Sequence, residues 1–232
     1  MVSIRFKNKR LTTPNLPSIN QRFTIIDNFI YYTMRLFRHL VFLLVNLYPF
    51  REGTSAIKIN DDKIKFDERV ASALQYCIAN KLNTSYCILV DMSIASGKNR
   101  LFVHDFKNNK VIIAGLCAHG SGGGSTPFKV VFSNKVNSNC SSLGRYKLGA
   151  RASSKWGINV HYKMHGLESS NSNAYKRVVV LHSYTPVPEY EIHPYGLFGV
   201  SRGCPVVADL TMIAIDNLLK NGEKNMLLWI YN

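Results

Sequence analysis

Ser201-Arg202-Gly203-Cys204-Pro205 presents one cysteine from a glycine-containing turn, and an apolar run follows it. Upstream, Val178-Val179-Val180-Leu181-His182-Ser183 reads as a β-branched strand that ends in a histidine. A cysteine and a histidine delivered from separate elements are the minimum parts of a thiol nucleophile and its base. Gly203 has no side chain, so the backbone there can come close to a substrate oxygen. The amide N–H groups around Cys204 are candidates to stabilise an oxyanion. A lone cysteine after glycine is more often a small buried residue, so the pairing needs support from the rest of the chain.

The chain has 232 residues, enough for one sizeable domain and an N-terminal extension. Its formal charge of +15 suggests an acidic partner. The excess is spread out: 11 Lys/Arg against 4 Asp/Glu over residues 1–65, and 18 against 10 over 66–232. No dense basic run with interleaved aromatics appears, which argues against nucleic acid. An anionic cell-wall polymer or a membrane surface suits the charge equally well. The five cysteines, Cys77, Cys87, Cys117, Cys140 and Cys204, form no CxxC pair and no zinc-like spacing. Their odd number leaves at least one free thiol, and disulfides among the other four stay open.

Residues 1–50 form a basic extension. Within it, Met34-Arg35-Leu36-Phe37-Arg38-His39 precedes an apolar run of about ten residues, Leu40 to Phe50. That is the form of a secretory signal, and it is shorter than the ~20 residues of a transmembrane helix. The expectations are export to the periplasm or cell envelope, an uncleaved anchor, or a buried apolar helix. Translation from Met34 would explain the segment's position. Residues 51–66 are polar and read as a linker.

From Asp67 to Asn80, apolar residues at Val70, Ala73, Leu74, Cys77 and Ile78 have helical spacing. Strands follow at Cys87–Asp91, Leu101–Phe106, Val111–Ala114, Val130–Phe132, Gly144–Leu148, Ile158–Tyr162 and before His182. A helix is expected over Asp209–Leu219 and a closing strand over Met226–Tyr231. The fold class is therefore mainly β, a β-rich α+β sandwich or barrel with flanking helices. Gly120-Ser121-Gly122-Gly123-Gly124-Ser125 lacks the ending of a phosphate loop and reads as a flexible surface loop.

The order of short motifs resembles the YkuD-type L,D-transpeptidase superfamily, in particular its murein L,D-transpeptidase catalytic domain family. The motifs are Ile88-Leu89-Val90-Asp91, Arg100-Leu101-Phe102-Val103-His104-Asp105, Ala118-His119-Gly120 and Phe132-Ser133-Asn134. They continue with Ser141-Ser142-Leu143-Gly144-Arg145-Tyr146, Gly166-Leu167-Glu168, Asn171-Ser172-Asn173-Ala174, Leu181-His182-Ser183 and the Cys204 turn. The resemblance covers residues 67–232. Arg202 stands where the wider superfamily usually has histidine. The stretch between His182 and Ser201 is longer than usual and reads as a lid-like loop with Pro186, Pro188 and Pro194.

The resemblance implies Cys204 as nucleophile and His182 as base, acting on peptidoglycan stem peptides, with the amide N–H groups of Arg202, Gly203 and Cys204 holding the oxyanion. A thioester would pass to a neighbouring amine, giving a 3→3 cross-link. With water as acceptor, or wall-linked lipoprotein as substrate, the same site would be a carboxypeptidase or an amidase. The non-enzyme alternative is an inactive peptidoglycan-binding domain. The implied chemistry requires neither cofactor nor metal.

His193 rivals His182 and otherwise lines the entrance. Ser183 would fix the imidazole through its hydroxyl or its backbone, or else cap the strand. Arg202 suits a stem-peptide carboxylate, with an exposed turn arginine as the alternative. For His119, Tyr146 and Glu168, substrate contact stands beside a structural role. Ser201 and Gly203 complete the turn.

Overall fold

The computed structural model describes residues 54–232, with side chains from residue 61 onward. The extension and its signal-like segment at 34–50 lie outside the described residues. In chain order the elements are α1 (Thr54–Ala79), β1 (Tyr86–Asp91), β2 (Leu101–Asp105), β3 (Lys110–Gly115), β4 (Gly144–Ser153) and β5 (Val160–Gly166). A 3-10 turn (Ser169–Asn171), β6 (Val180–Ser183), β7 (Val206–Val207), α2 (Asp209–Lys220) and β8 (Leu227–Tyr231) complete the fold. The fold is mainly β, as expected.

All eight strands form one sheet in the order β3-β2-β1-β8-β4-β5-β6-β7. β1 lies inside it, antiparallel to β2 and parallel to β8. Its residues Cys87, Ile88, Leu89 and Val90 are all fully buried, as a strand covered on both faces requires. Ile88 and Val90 face one cluster with Tyr146, Leu148, Tyr162, Met164, Leu181 and Leu228. Cys87 and Leu89 face a second, built on Val70, Ala73 and Cys77 of α1. The two ends of the sheet meet: Ala118, just beyond β3, exchanges hydrogen bonds with Val206 of β7 at 2.7 and 3.4 Å. That closure gives the sheet a barrel-like form.

Several elements differ from expectation. α1 begins at Thr54 and takes in most of the stretch expected as a linker over 51–66. Val130–Phe132 makes only an isolated bridge, Phe132 to Ser141. β6 starts at Val180 because Val178 has a φ of 55°, which no strand residue adopts. β7 has two residues, whose strand character comes from partners far away in sequence. Among the described residues no helix is long and apolar enough to cross a membrane.

One charged clamp fixes α2 to the sheet. Arg151 of β4 donates to both oxygens of Asp216, at 2.8 and 3.1 Å, and the Tyr162 hydroxyl donates to Asp216 at 2.6 Å. Arg151 is the largest cause holding the Asp216 carboxyl below its ordinary value, with Tyr162 adding to it against burial. A depressed carboxyl stabilises the fold above its unfolded pKa, and that contribution is lost as pH falls through the folded one. Asp216→Ala should therefore lower the melting temperature of the full chain at pH 7. The gap from wild type should narrow below about pH 4, the ordinary carboxylate pKa. A gap that stays constant through that range would show that the charge is not what Asp216 contributes.

Candidate active site

The Cys204 turn is held from inside. Ser201 Oγ accepts from the Gly203 amide at 3.1 Å and donates to the Cys204 carbonyl at 2.6 Å. Gly203 has a φ of 119°, in the region that favours glycine. A β-carbon there would lie 2.7 Å from the Cys140 carbonyl oxygen and 3.0 Å from Arg177 Nη2. The Gly203 amide, expected among the oxyanion donors, is thus committed to Ser201. The amides of Arg202 and Cys204 remain.

A second glycine lies against the first. A β-carbon on Gly120 would come within 2.8 Å of Gly203 Cα and N. Ser141 Oγ joins the two, accepting from the Gly120 amide at 3.0 Å and donating to the Gly203 carbonyl at 3.2 Å. The start of the glycine-rich stretch is therefore packed structure and not the flexible loop expected. At Gly122 a β-carbon would collide with the Ser138 carbonyl at 1.9 Å.

Arg177 lies against the Gly203 turn and Val178 against the sulfur, and neither was singled out from the sequence. Arg177 donates to the carbonyls of Ser133 (2.9 Å) and Cys140, and to Ser142 Oγ. Val178 is 70% exposed and holds a left-handed backbone, strained for a β-branched residue. Its carbonyl lies 3.9 Å from Cys204 Sγ, and the Val180 amide lies 3.5 Å from the same atom. Two carbonyl partners of an arginine leave no mark in a sequence. An apolar run such as Val178-Val179-Val180 reads as unbroken strand.

His182 sits on β6, and its register partner on β7 is Val206, two positions beyond Cys204. Its Nδ1 is 2.9 Å from the Ser183 carbonyl oxygen. A carbonyl only accepts, so Nδ1 carries the proton and Nε2 keeps the lone pair of a base. Ser183 fixes the imidazole through its backbone, while its hydroxyl accepts from the Ile158 amide at 3.0 Å. Burial lowers the His182 pKa, His161 adds to this, and the Ser183 carbonyl opposes it. Burial raises the Cys204 thiol, against smaller opposing effects of the Val180 amide and Arg177. The resting pair is thus neutral at pH 7. Cys204 Sγ makes its contacts with Val180 and Val178 and has no hydrogen bond to His182 among the described residues.

The remaining expected residues fall into place by burial. His119 is 3% exposed, and its Nδ1 accepts from the buried Arg100 at 2.7 Å. Burial, then the Arg100 charge, pushes its pKa down to about 4, so it is a neutral structural group. Tyr146 is 1% exposed with its hydroxyl on the Ser142 carbonyl at 2.8 Å, which makes it core and not channel lining. Glu168 pairs with Arg145 at 2.9 Å and caps the 3-10 turn, so its carboxylate is already engaged. His193 is exposed, and its amide donates to the Gly97 carbonyl at 3.1 Å. Arg202 is exposed. All five cysteines are free, and Cys204 alone is half-buried. Among the described residues no group of His, Cys, Asp and Glu is arranged for a metal ion.

A neutral resting thiol has a test. Iodoacetamide alkylation of Cys204, followed by peptide mapping of the full chain, should still be accelerating at pH 9, since the thiolate is the reactive form. A rate already flat at pH 7 would mean a preformed thiolate–imidazolium pair and would contradict this electrostatic reading.

The family profile described as "L,D-transpeptidase catalytic domain" matches residues 60–231. No curated protein matches the chain. Among solved structures, the chain is similar to the helical cell shape determining protein Pgp2 of Campylobacter jejuni, with 11% identity and a TM-score of 0.42. The match covers 64% of this chain and 48% of that one, about half of its length. The K307A mutant of Pgp2 matches similarly, with a TM-score of 0.43, 11% identity, and 64% and 47% coverage. The L,D-transpeptidase (residues 123-326) of Xylanimonas cellulosilytica DSM 15894 matches with 10% identity, a TM-score of 0.35 and 68% coverage of each chain. The profile match extends over most of the chain and takes in the whole closed sheet with its cysteine turn: the protein belongs to the L,D-transpeptidase catalytic domain family.

Proposed function

We propose that the chain is a cysteine-dependent L,D-transpeptidase that acts on peptidoglycan stem peptides through a thioester. The observation that carries this reading is the tautomer of His182. The Ser183 carbonyl fixes its Nδ1 proton and leaves Nε2 as a base, on the strand paired with the one that Cys204 introduces.

In the proposed cycle the thiol turns from the Val178 carbonyl to His182 Nε2 and gives up its proton as sulfur attacks. The target is the carbonyl on the L-centre of a diamino acid, at its bond to a terminal D-amino acid. A C–S bond forms, and the tetrahedral oxyanion is met by the amides of Cys204 and Arg202. The imidazolium returns the proton to the leaving amine as the C–N bond breaks. The thioester then passes to an amine of a second stem, making a 3→3 cross-link and restoring the thiol. Pairing a neutral thiol with a neutral base avoids holding two charges in a partly desolvated site. His182 is the base in this scheme; the exposed side chains of His193 and Arg202 are assigned to the substrate's outer parts.

The substrate puts the enzyme's work in the cell envelope. An export signal or anchor at residues 34–50, ahead of a catalytic domain, completes that reading.

Chromatography of products from full-length protein and disaccharide-tetrapeptide muropeptides tests it. Wild type should give a 3→3 dimer, and Cys204→Ala none. His182→Gln should slow turnover on the order of a hundredfold or more, the usual contribution of a positioned base. Tripeptide without dimer would make water the acceptor and the chain a carboxypeptidase. Release of peptide from wall-linked lipoprotein alone would make it an amidase. No turnover of either substrate by folded, reduced protein would leave a wall-binding domain.

A further inference from the structure

The outer face of β5 carries one lysine, Lys163, that takes part in no ion pair among the described residues. Along this strand Val160, Tyr162 and Met164 are buried in the core, while His161, Lys163 and His165 are half-buried on the other face. The apolar cluster of α1 covers the outer side of β1 and β8, and a cluster from the loop after β6 covers Val206 of β7. Neither cluster includes a residue of β5.

The register leads this strip to the nucleophile. Lys147 of β4 is opposite His165, Lys163 is opposite Val180, and His161 is opposite His182. Met164 N–H donates to the Val179 carbonyl at 3.1 Å. That makes Lys163–Val180 a non-hydrogen-bonded pair, with the Cα atoms about 4.5 Å apart and side chains at closest approach. The Val180 amide then points the other way, to Cys204 Sγ at 3.5 Å.

An aromatic wall stands on the same strip. Tyr175 is 59% exposed, its ring stacks on His165 at 5.3 Å, and Lys163 Nζ lies 5.3 Å from its centroid. The Tyr175 carbonyl accepts from the Val178 amide at 3.1 Å, so the wall is tied to the residue whose carbonyl faces the sulfur. The ion pairs among the described residues are Lys63–Asp67, Arg145–Glu168 and Arg151–Asp216. Neither Lys147 nor Lys163 takes part in one. Burial, then the charges of Lys147 and Lys163, lowers the His165 pKa.

We propose that Lys163, with Lys147 behind it and Tyr175 as its wall, forms a carboxylate-binding subsite that holds a free carboxylate of the peptide substrate beside Cys204. This rests on the reading of the protein as one that takes peptide substrates. Lys163 acts through binding and does not touch the reacting atoms. An ammonium–carboxylate pair flanked by an aromatic ring favours the anion over its amide.

Calorimetry on full-length Cys204→Ala tests this without turnover. The two probes are the disaccharide-tetrapeptide with free carboxylates and the same compound with those carboxylates amidated. The free form should bind about tenfold tighter, the effect of one charged hydrogen bond. Adding Lys163→Gln should remove that preference, and adding Lys163→Arg should keep most of it. Lys163 is half-buried on an outer face, and melting curves would confirm that each variant is folded. Equal affinities in Cys204→Ala, a preference that survives Lys163→Gln, or no binding of either probe would overturn the subsite. Wild-type turnover, read separately, tests the enzymatic reading: discrimination without turnover keeps the subsite and sinks the transpeptidase.

Discussion

The closure of the sheet between Ala118 and Val206 is the constraint on which the site depends. Two hydrogen bonds join the chain just past β3 to β7. Gly120 lies two residues past Ala118, and Gly203 lies three residues before Val206. Closure sets these glycines against each other at a distance that admits no β-carbon on Gly120. Ser141 then bridges both. A turn held from Ser201, Ser141 and Gly120 presents its cysteine with little freedom, which is the condition for orienting a nucleophile.

The electrostatics follow from the same packing. Desolvation acts in opposite directions on a thiol and an imidazole, keeping each uncharged. In the proposed cycle reactivity therefore arises when substrate is present, as the proton moves to Nε2 during attack. Arg177 supplies positive charge close to the Gly203 turn without a carboxylate partner among the described residues, its guanidinium being satisfied by carbonyls and a hydroxyl. Its charge opposes burial at Cys204. Strain at Val178 sits at the same place, where the surrounding bonds of Asn173, Ala174 and Tyr175 over-determine the backbone.

Much of this was legible in the sequence because it is local. The alternation and β-branching of β1 to β3 mark strands whichever residues they pair with. The cysteine turn and the histidine at a strand end carry chemistry in their side chains. What was not legible depends on partners distant in sequence. β7 is a strand only because Ala118 and His182 flank it. Tyr146 is buried because the register of β4 with β8 turns it inward. Glu168 is engaged because Arg145 reaches it from β4. The polar start of α1 conceals a helix, since exposed charged residues such as Asp61, Asp62 and Lys63 fit a linker as well as a solvated helical face.

The central claim is that Cys204 carries the acyl group. Full-length protein quenched during reaction with a disaccharide-tetrapeptide, digested and mapped by mass spectrometry, addresses it directly. The account predicts an acyl adduct on the peptide containing Cys204, with the terminal D-amino acid missing from the adduct. Turnover with Cys204 unmodified at every time point, or an adduct carried by one of the buried cysteines, would contradict it.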